Sequence, residues 1–235
     1  MLTLWRIVVI VWRIIILWEM AISGTDRKAE LQLARHEIDR RRALNSAAEL
    51  FSGNGFDGAT MSELARGAGL SLKALYNVFP TKEELFESVI ADQFEQYIMP
   101  VLNADRAELS PSERVFSLVD DVLAGMAADR PFLLLFARGS AGVPAKLRAV
   151  GRDPYAPYID AVRNHLIDAI AACPIEADAR KAHELAVALS AALVALATDA
   201  FCANPPRASS AVGTTVRELF GPALGLSYQQ PTTKE

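Results

Sequence analysis

Lys73, Tyr76, Asn77 and Lys82 lie within ten positions of one another, and none of them has the company that covalent chemistry requires. An ammonium, a phenol and a carboxamide held this close can grip an anion and offer hydrogen bonds to a base edge. Thr60 and Ser71 stand where helices should begin, and a helix start presents unpaired amides to phosphate. Upstream, Arg40, Arg41 and Arg42 add three guanidinium groups. The chemistry on offer is non-covalent binding of duplex DNA. The rival reading is an ordinary helical hairpin whose polar side faces water.

Local patterning places these residues on helices. Thr60-Met61-Ser62-Glu63 reads as a capping box, and Met61, Leu64 and Ala65 supply an apolar face behind it. Gly67 and Gly69 interrupt that run, and Gly69 is suited to a turn with positive φ. Ser71 is the expected N-cap of "LKALYNVF", which Pro80 stops. Leu70 and Leu75 should face inward, leaving Ser71, Leu72, Lys73, Ala74, Tyr76 and Asn77 outward. These are the demands of a helix-turn-helix, whose second helix enters the major groove near its N-terminus. Thr81 to Glu84 is a further capping box opening a long helix that Pro100 should end.

Beyond this motif the pattern stays helical. Before it, a helical pattern through Leu44, Ala47, Ala48, Leu50 and Phe51 closes at Gly53–Gly55. Ser110-Pro111-Ser112-Glu113 combines an N-cap, a first-turn proline and a capping box. Two longer helices are expected at about 157–172 and 176–203, and the last dozen residues read as a frayed tail. Leu185 to Thr198 is uncharged but short for a membrane crossing, so it predicts a buried helix closely paired with another. No alternating strand pattern of useful length occurs, which makes the expected fold class all-α.

Composition narrows the function classes. The net charge of −4 excludes a chain coated in nucleic acid but permits a local basic footprint. Residues 24 to 42 carry six basic against four acidic side chains, whereas Ala43 to Ile90 carry three against six. DNA affinity must therefore come from placement. Cys173 and Cys202 have no metal spacing, and His36, His165 and His183 are scattered, so neither a metal nor a cofactor is expected. There is no glycine-rich phosphate loop after a strand and no nucleophile elbow; Ser140, Asp153 and His165 do not make a triad, so an enzyme is not expected.

Residues 1–20 differ from the rest: sixteen are apolar, and they hold all three tryptophans. Arg13 would sit near mid-bilayer in a membrane-spanning helix, at a cost of about 2.5–3.5 kcal/mol. The favoured expectation is translation from Met20; a membrane anchor is second, giving a membrane-associated interaction protein or a tethered regulator.

The segment "RALNSAAELFSGNGFDGATMSELARGAGLSLKALYNVFPTKEELF" resembles the DNA-binding domain of the TetR family of bacterial transcriptional regulators. The shared features are an Ala-Ala-x-Leu-Phe helix end, a threonine-led helix, Ala-Gly-Leu-Ser, Leu-Tyr, Phe and Thr-Lys-Glu-Glu-Leu, dense between Arg40 and Ile90. The resemblance implies a three-helix DNA-binding head, a larger helical domain for ligand binding and dimerisation, and a cytoplasmic homodimer on a palindromic operator. It further implies a small-molecule effector that releases the DNA, as for a repressor. Thr60, Tyr76 and Lys82 match positions that typically hold phosphates, and Ser71 through Asn77 occupy the recognition helix. Lys73 falls where many relatives have glycine, and Leu72 where many are polar.

The expected divisions are an apolar extension at 1–23, the DNA-binding domain at 24–85, the ligand-binding and dimerisation domain at 86–224 and a tail at 225–235. A ligand pocket is expected among the helices between 90 and 172. Phe94, Tyr97, Phe116, Met126, Phe132, Phe136, Tyr155 and Tyr158 could line it, with Arg138 or His165 offering polarity. The two long helices near the C-terminus are the expected dimer interface.

Overall fold

The computed structural model describes the backbone of residues 2–138, 143–173, 179–203 and 205–225, and side chains from Arg27 onward except at 137, 138 and 179. Among these residues every regular element is helical. α1 (Leu2–Gly58) is helical up to a break at Gly55, where φ is 75° and ψ is 171°, so the helix end expected at Gly53–Gly55 falls there and a short helical turn follows to Gly58. The polar stretch from Arg27 to Arg42 is thus helical too, because its Ala, Leu, Glu, Lys and Arg residues are good helix formers with no breaker among them. The side chains of residues 2–26, on which an anchor would depend, lie outside the described residues.

α2 (Met61–Ala68) and α3 (Leu72–Val78) pack on α1 through Leu64, Ala65 and Leu75, all buried. Gly69 adopts the left-handed conformation at φ 67°, and its N–H closes the end of α2. Gly67 does not interrupt α2 as its composition suggests. It lies inside the helix, where a Cβ would collide with Ser46, whose hydroxyl donates to the Leu64 carbonyl at 3.1 Å.

α4 (Lys82–Tyr97) starts on a Thr81 cap that accepts from the Glu84 N–H at 3.1 Å. The domain boundary expected at 85–86 falls inside this uninterrupted helix. α4 ends three residues before Pro100, which instead opens the short α5 (Met99–Leu102). α6 (Pro111–Ala127) begins with the expected box, the Ser110 N–H donating to Glu113 at 2.9 Å. α7 (Arg130–Arg138), α8 (Ala145–Ala149), α9 (Ala156–Ala171) and α10 (Ala179–Cys202) follow.

α10 is apolar and long enough to cross a membrane by composition alone. Here it buries Ala182, Ala186, Leu189, Leu193, Ala197 and Ala200, and it packs most extensively on α9. The small side chains expected to admit a close helix neighbour do so within the chain. α11 (Ser209–Phe220) has no counterpart in the sequence pattern. Its serine, threonine, valine and glycine residues are weak helix formers, and packing on α6 and α10 holds it. Gly213 leaves room for the Asp120 carboxylate, which pairs with Arg217.

Two aromatic clusters mark the halves of one continuous core. Phe51, Phe56 and Phe86 meet with centroids 5.4–5.7 Å apart where α1 ends. Phe94 stacks on Tyr158 at 4.4 Å and meets Phe132 edge-on at 5.2 Å.

Candidate nucleic-acid interface

α3 owes its presentation to a hidden side and two firm ends. Leu75 is wholly buried, the Ser71 hydroxyl accepts from the Ala74 N–H at 3.1 Å, and the Phe79 N–H donates to the Leu75 carbonyl at 2.8 Å. With Leu75 facing the core, helical periodicity turns its neighbours outward. Ser71, Lys73 and Asn77 are exposed, as are Leu72 at 43% and Tyr76 at 45%, while Ala74 is half-buried. Leu72 and Tyr76 lie one helical turn apart, so an apolar and an aromatic group face solvent beside the polar ones. Lys73 makes no ion pair with any described residue. α3 therefore carries an unspent cation, a phenol and a carboxamide along one open row.

The start of α2 is more occupied. The Thr60 hydroxyl accepts from the Glu63 N–H at 3.2 Å and donates to the Glu63 carboxylate at 2.7 Å, and the Thr60 N–H donates to the same carboxylate at 3.0 Å. The Thr60 hydroxyl and N–H, aided by Arg66, hold the Glu63 carboxyl below its ordinary range. Both Thr60 donors that a phosphate would use are thus already held by this carboxylate.

Lys82 is also already engaged. Its ammonium donates to the carbonyls of Phe56 and Ala59, each at 2.9 Å, and rests 4.1 Å from the centre of the Phe56 ring. A lysine at a helix start needs a negative partner, and here the end of α1 supplies one through its terminal carbonyls. Two of the three N–H donors are thereby used within the protein.

The three upstream arginines diverge. Arg40 lies over the Phe79 ring at 5.0 Å, and Arg41 pairs with Asp92 of α4 at 2.6 Å. Arg42 is exposed, with no ion pair to any described residue. The sequence places all three together; the fold sets two to bracing the head and leaves one over. Glu63 and the carbonyls under Lys82 belong to the site as well. The first was legible as a cap, but the second depends on contacts across 23 and 26 positions.

In the larger half, an apolar cavity of about 30 Å³ lies between α4, α6, α7, α9 and α10. Phe94, Met126 and Phe136 line it as expected, and Ser190 also lines it, its hydroxyl donating to the Val187 carbonyl at 3.0 Å. Tyr97, Phe116, Phe132, Tyr155 and Tyr158 do not line this cavity; Tyr155 is buried, donating to the Leu135 carbonyl at 2.9 Å. His165 is exposed, its Nδ1 2.8 Å from the Ala161 carbonyl, and the Arg138 side chain lies outside the described residues. In this form the cavity has room for about one water.

Residues 43–89 match the family described as bacterial regulatory proteins, tetR family. A stretch of 57 residues is 39% identical to the HTH-type transcriptional regulator UidR of Escherichia coli K12, and the same figures hold for UidR of Shigella flexneri. That stretch is 24% of this chain, and it spans only 29% of the length of these curated relatives. The fold of the whole is similar to a bacterial regulatory protein in the tetR family from Rhodococcus RHA1, with a TM-score of 0.63 at 18% identity, covering 81% of this chain and 98% of that one. A transcriptional regulator from Aquifex aeolicus VF5 gives a TM-score of 0.60 at 20% identity, over 79% and 99%.

Proposed function

The chain belongs to the TetR family of bacterial regulatory proteins through its residues 43–89, and from that premise we propose that it is a ligand-responsive transcriptional regulator. In this reading it binds a palindromic operator as a homodimer and is a repressor released by a small molecule. The observation that carries it is the open row on α3: Ser71, Leu72, Lys73, Tyr76 and Asn77 face solvent from a helix whose opposite side is locked by Leu75. Tyr76 and the amides at Ser71 contact phosphates, Lys73 and Asn77 reach base edges or backbone, and Leu72 offers an apolar contact to a thymine methyl. Thr60, Ala74 and Arg42 border the same surface. Lys82 sets the position of α4 and keeps one N–H for phosphate, and Arg40 and Arg41 hold α1 in place behind it.

Two heads on one face of DNA require recognition helices about 34–36 Å apart. The helices beyond α4 set that distance, with α9 and α10 as the proposed dimer interface. A ligand preferring a different spacing shifts the population away from the DNA-competent form, and near-complete switching takes about 10⁴-fold differential affinity, ~5.5 kcal/mol. The core cavity must widen to accept such a ligand. The cytoplasm is the proposed location.

The test is selection of bound fragments from the genome by the full-length chain, followed by anisotropy titration on the recovered site. A recovered inverted repeat bound by two chains supports the reading. Failure to enrich any fragment at low salt, with and without cell extract, refutes it.

A further inference from the structure

A second cavity, of about 230 Å³, lies where the end of α1 meets α7, α8 and the loop before α9. Its floor is aromatic and aliphatic: Phe51, Phe86 and Tyr155 are buried, and Leu135 and Val143 complete it. Its rim is polar, carrying Asn54 and Asp57 from the bend around Gly55 on one side and Arg148 of α8 on the other.

Among the described residues the rim charges have no ion-pair partner. The neighbouring cations do: Lys146 pairs with Glu83 at 3.0 Å and Arg152 with Glu87 at 2.8 Å, both reaching across to α4. Arg148, between them in sequence, makes no ion pair with any described residue, and Asp57 makes none either. One cation and one anion thus line the same small cavity without closing on each other. Every other basic residue of this segment is committed to holding α4.

We propose that this cavity binds a small apolar zwitterion of the α-amino-acid class. Arg148 takes the carboxylate, Asp57 takes the ammonium, and the side chain lies on Phe51, Phe86 and Tyr155. A simple carboxylate would leave Asp57 as a repulsive neighbour, and a simple amine would leave Arg148 so. Each loses one charge-assisted hydrogen bond and gains one mismatch. The volume is below the ~300–1,000 Å³ of drug-sized ligand sites, which confines the occupant to a small metabolite. Because one wall is the end of the DNA-binding head and the other is α7 and α8, an occupant touches both. Its influence on DNA binding, unlike its binding, rests on the regulatory reading above.

Calorimetry without DNA tests the site on the full-length chain, with L-phenylalanine, 3-phenylpropionate and phenethylamine as probes. L-phenylalanine should bind with one site per chain, and each truncated probe at least about 10-fold more weakly. R148Q should weaken L-phenylalanine about 10-fold and strengthen phenethylamine by removing the repulsive cation, while D57N should weaken L-phenylalanine likewise and strengthen 3-phenylpropionate. Circular dichroism confirms that both variants fold. No heat from L-phenylalanine up to about 10 mM, or equal binding by the wild type and both variants, overturns the proposal. Neither result touches the DNA-binding reading, which is measured separately.

Discussion

At the scale of the residue, the site is decided by which polar groups are already used. Glu63 shows this through pH. Its carboxyl is held below the usual 4.5, first by the Thr60 hydroxyl, then by the Thr60 N–H. A carboxyl with a depressed folded pKa binds fewer protons folded than unfolded. Its contribution is complete above about 4.5 and is lost as the pH falls through the lower folded value. Thr60→Val should flatten the loss of stability between neutral pH and about pH 3, read from urea midpoints at each pH. The two lysines should separate in a different way. Lys82→Met removes the donor to two carbonyls and should cost about 1–3 kcal/mol of stability in urea unfolding. Lys73→Ala should leave the midpoint within about 0.5 kcal/mol and change DNA binding alone. Capping residues such as Thr60, Ser71 and Ser110 could be read from sequence because their partners lie three positions away. The fates of Arg40, Arg41 and Lys82 could not, since Phe79, Asp92, Phe56 and Ala59 come near them only in the folded chain.

At the scale of the element, legibility followed intrinsic preference. α2, α3, α4 and α6 carry strong start signals and lie where the pattern puts them. α11 carries none; its valines Val212 and Val216 are buried, and the helix is held by α10 just before it and by α6, about ninety positions upstream. Helix contacts also depend on missing side chains. In α6, a Cβ on Gly125 would stand 2.5 Å from the Tyr97 carbonyl and 3.2 Å from Ile98. Backbone at the end of α4 cannot rotate aside as a side chain can. Gly125→Ala should therefore destabilise by about 1–3 kcal/mol despite alanine's better helix propensity. A midpoint equal to or above the wild type would mean that α6 and α4 are less tightly joined than described.

At the scale of the whole molecule, a net charge of −4 must be reconciled with a polyanionic partner. Exposed Lys73 and Arg42 make no ion pair among the described residues, but they stand in a head that is acidic on balance, so long-range attraction is modest and each contact counts. This gives a reading of subunit number from one substitution. Each lost phosphate contact lowers the slope of log affinity against log salt by about 0.9, so with Lys73 on the DNA backbone Lys73→Ala should lower it by about 1.8 if two chains bind one site. A change of about 0.9 would mean one chain per site. The all-helical architecture and the helix-turn-helix were visible in local spacing. The cavity linings were not, because aromatic residues at helical intervals look alike whether they fill a core or border a space.

α4 has one more consequence. Its first turn lies beside the recognition unit and its Phe94 borders the central cavity, so a single rigid rod joins the two. Twelve residues of helix measure roughly 18 Å. Pivoting that rod by about 5° moves its far tip by roughly 1.6 Å, more than half a hydrogen bond's length. Leverage of this kind lets a slight repacking around one phenyl ring become a misfit at the groove, with no hinge loop required.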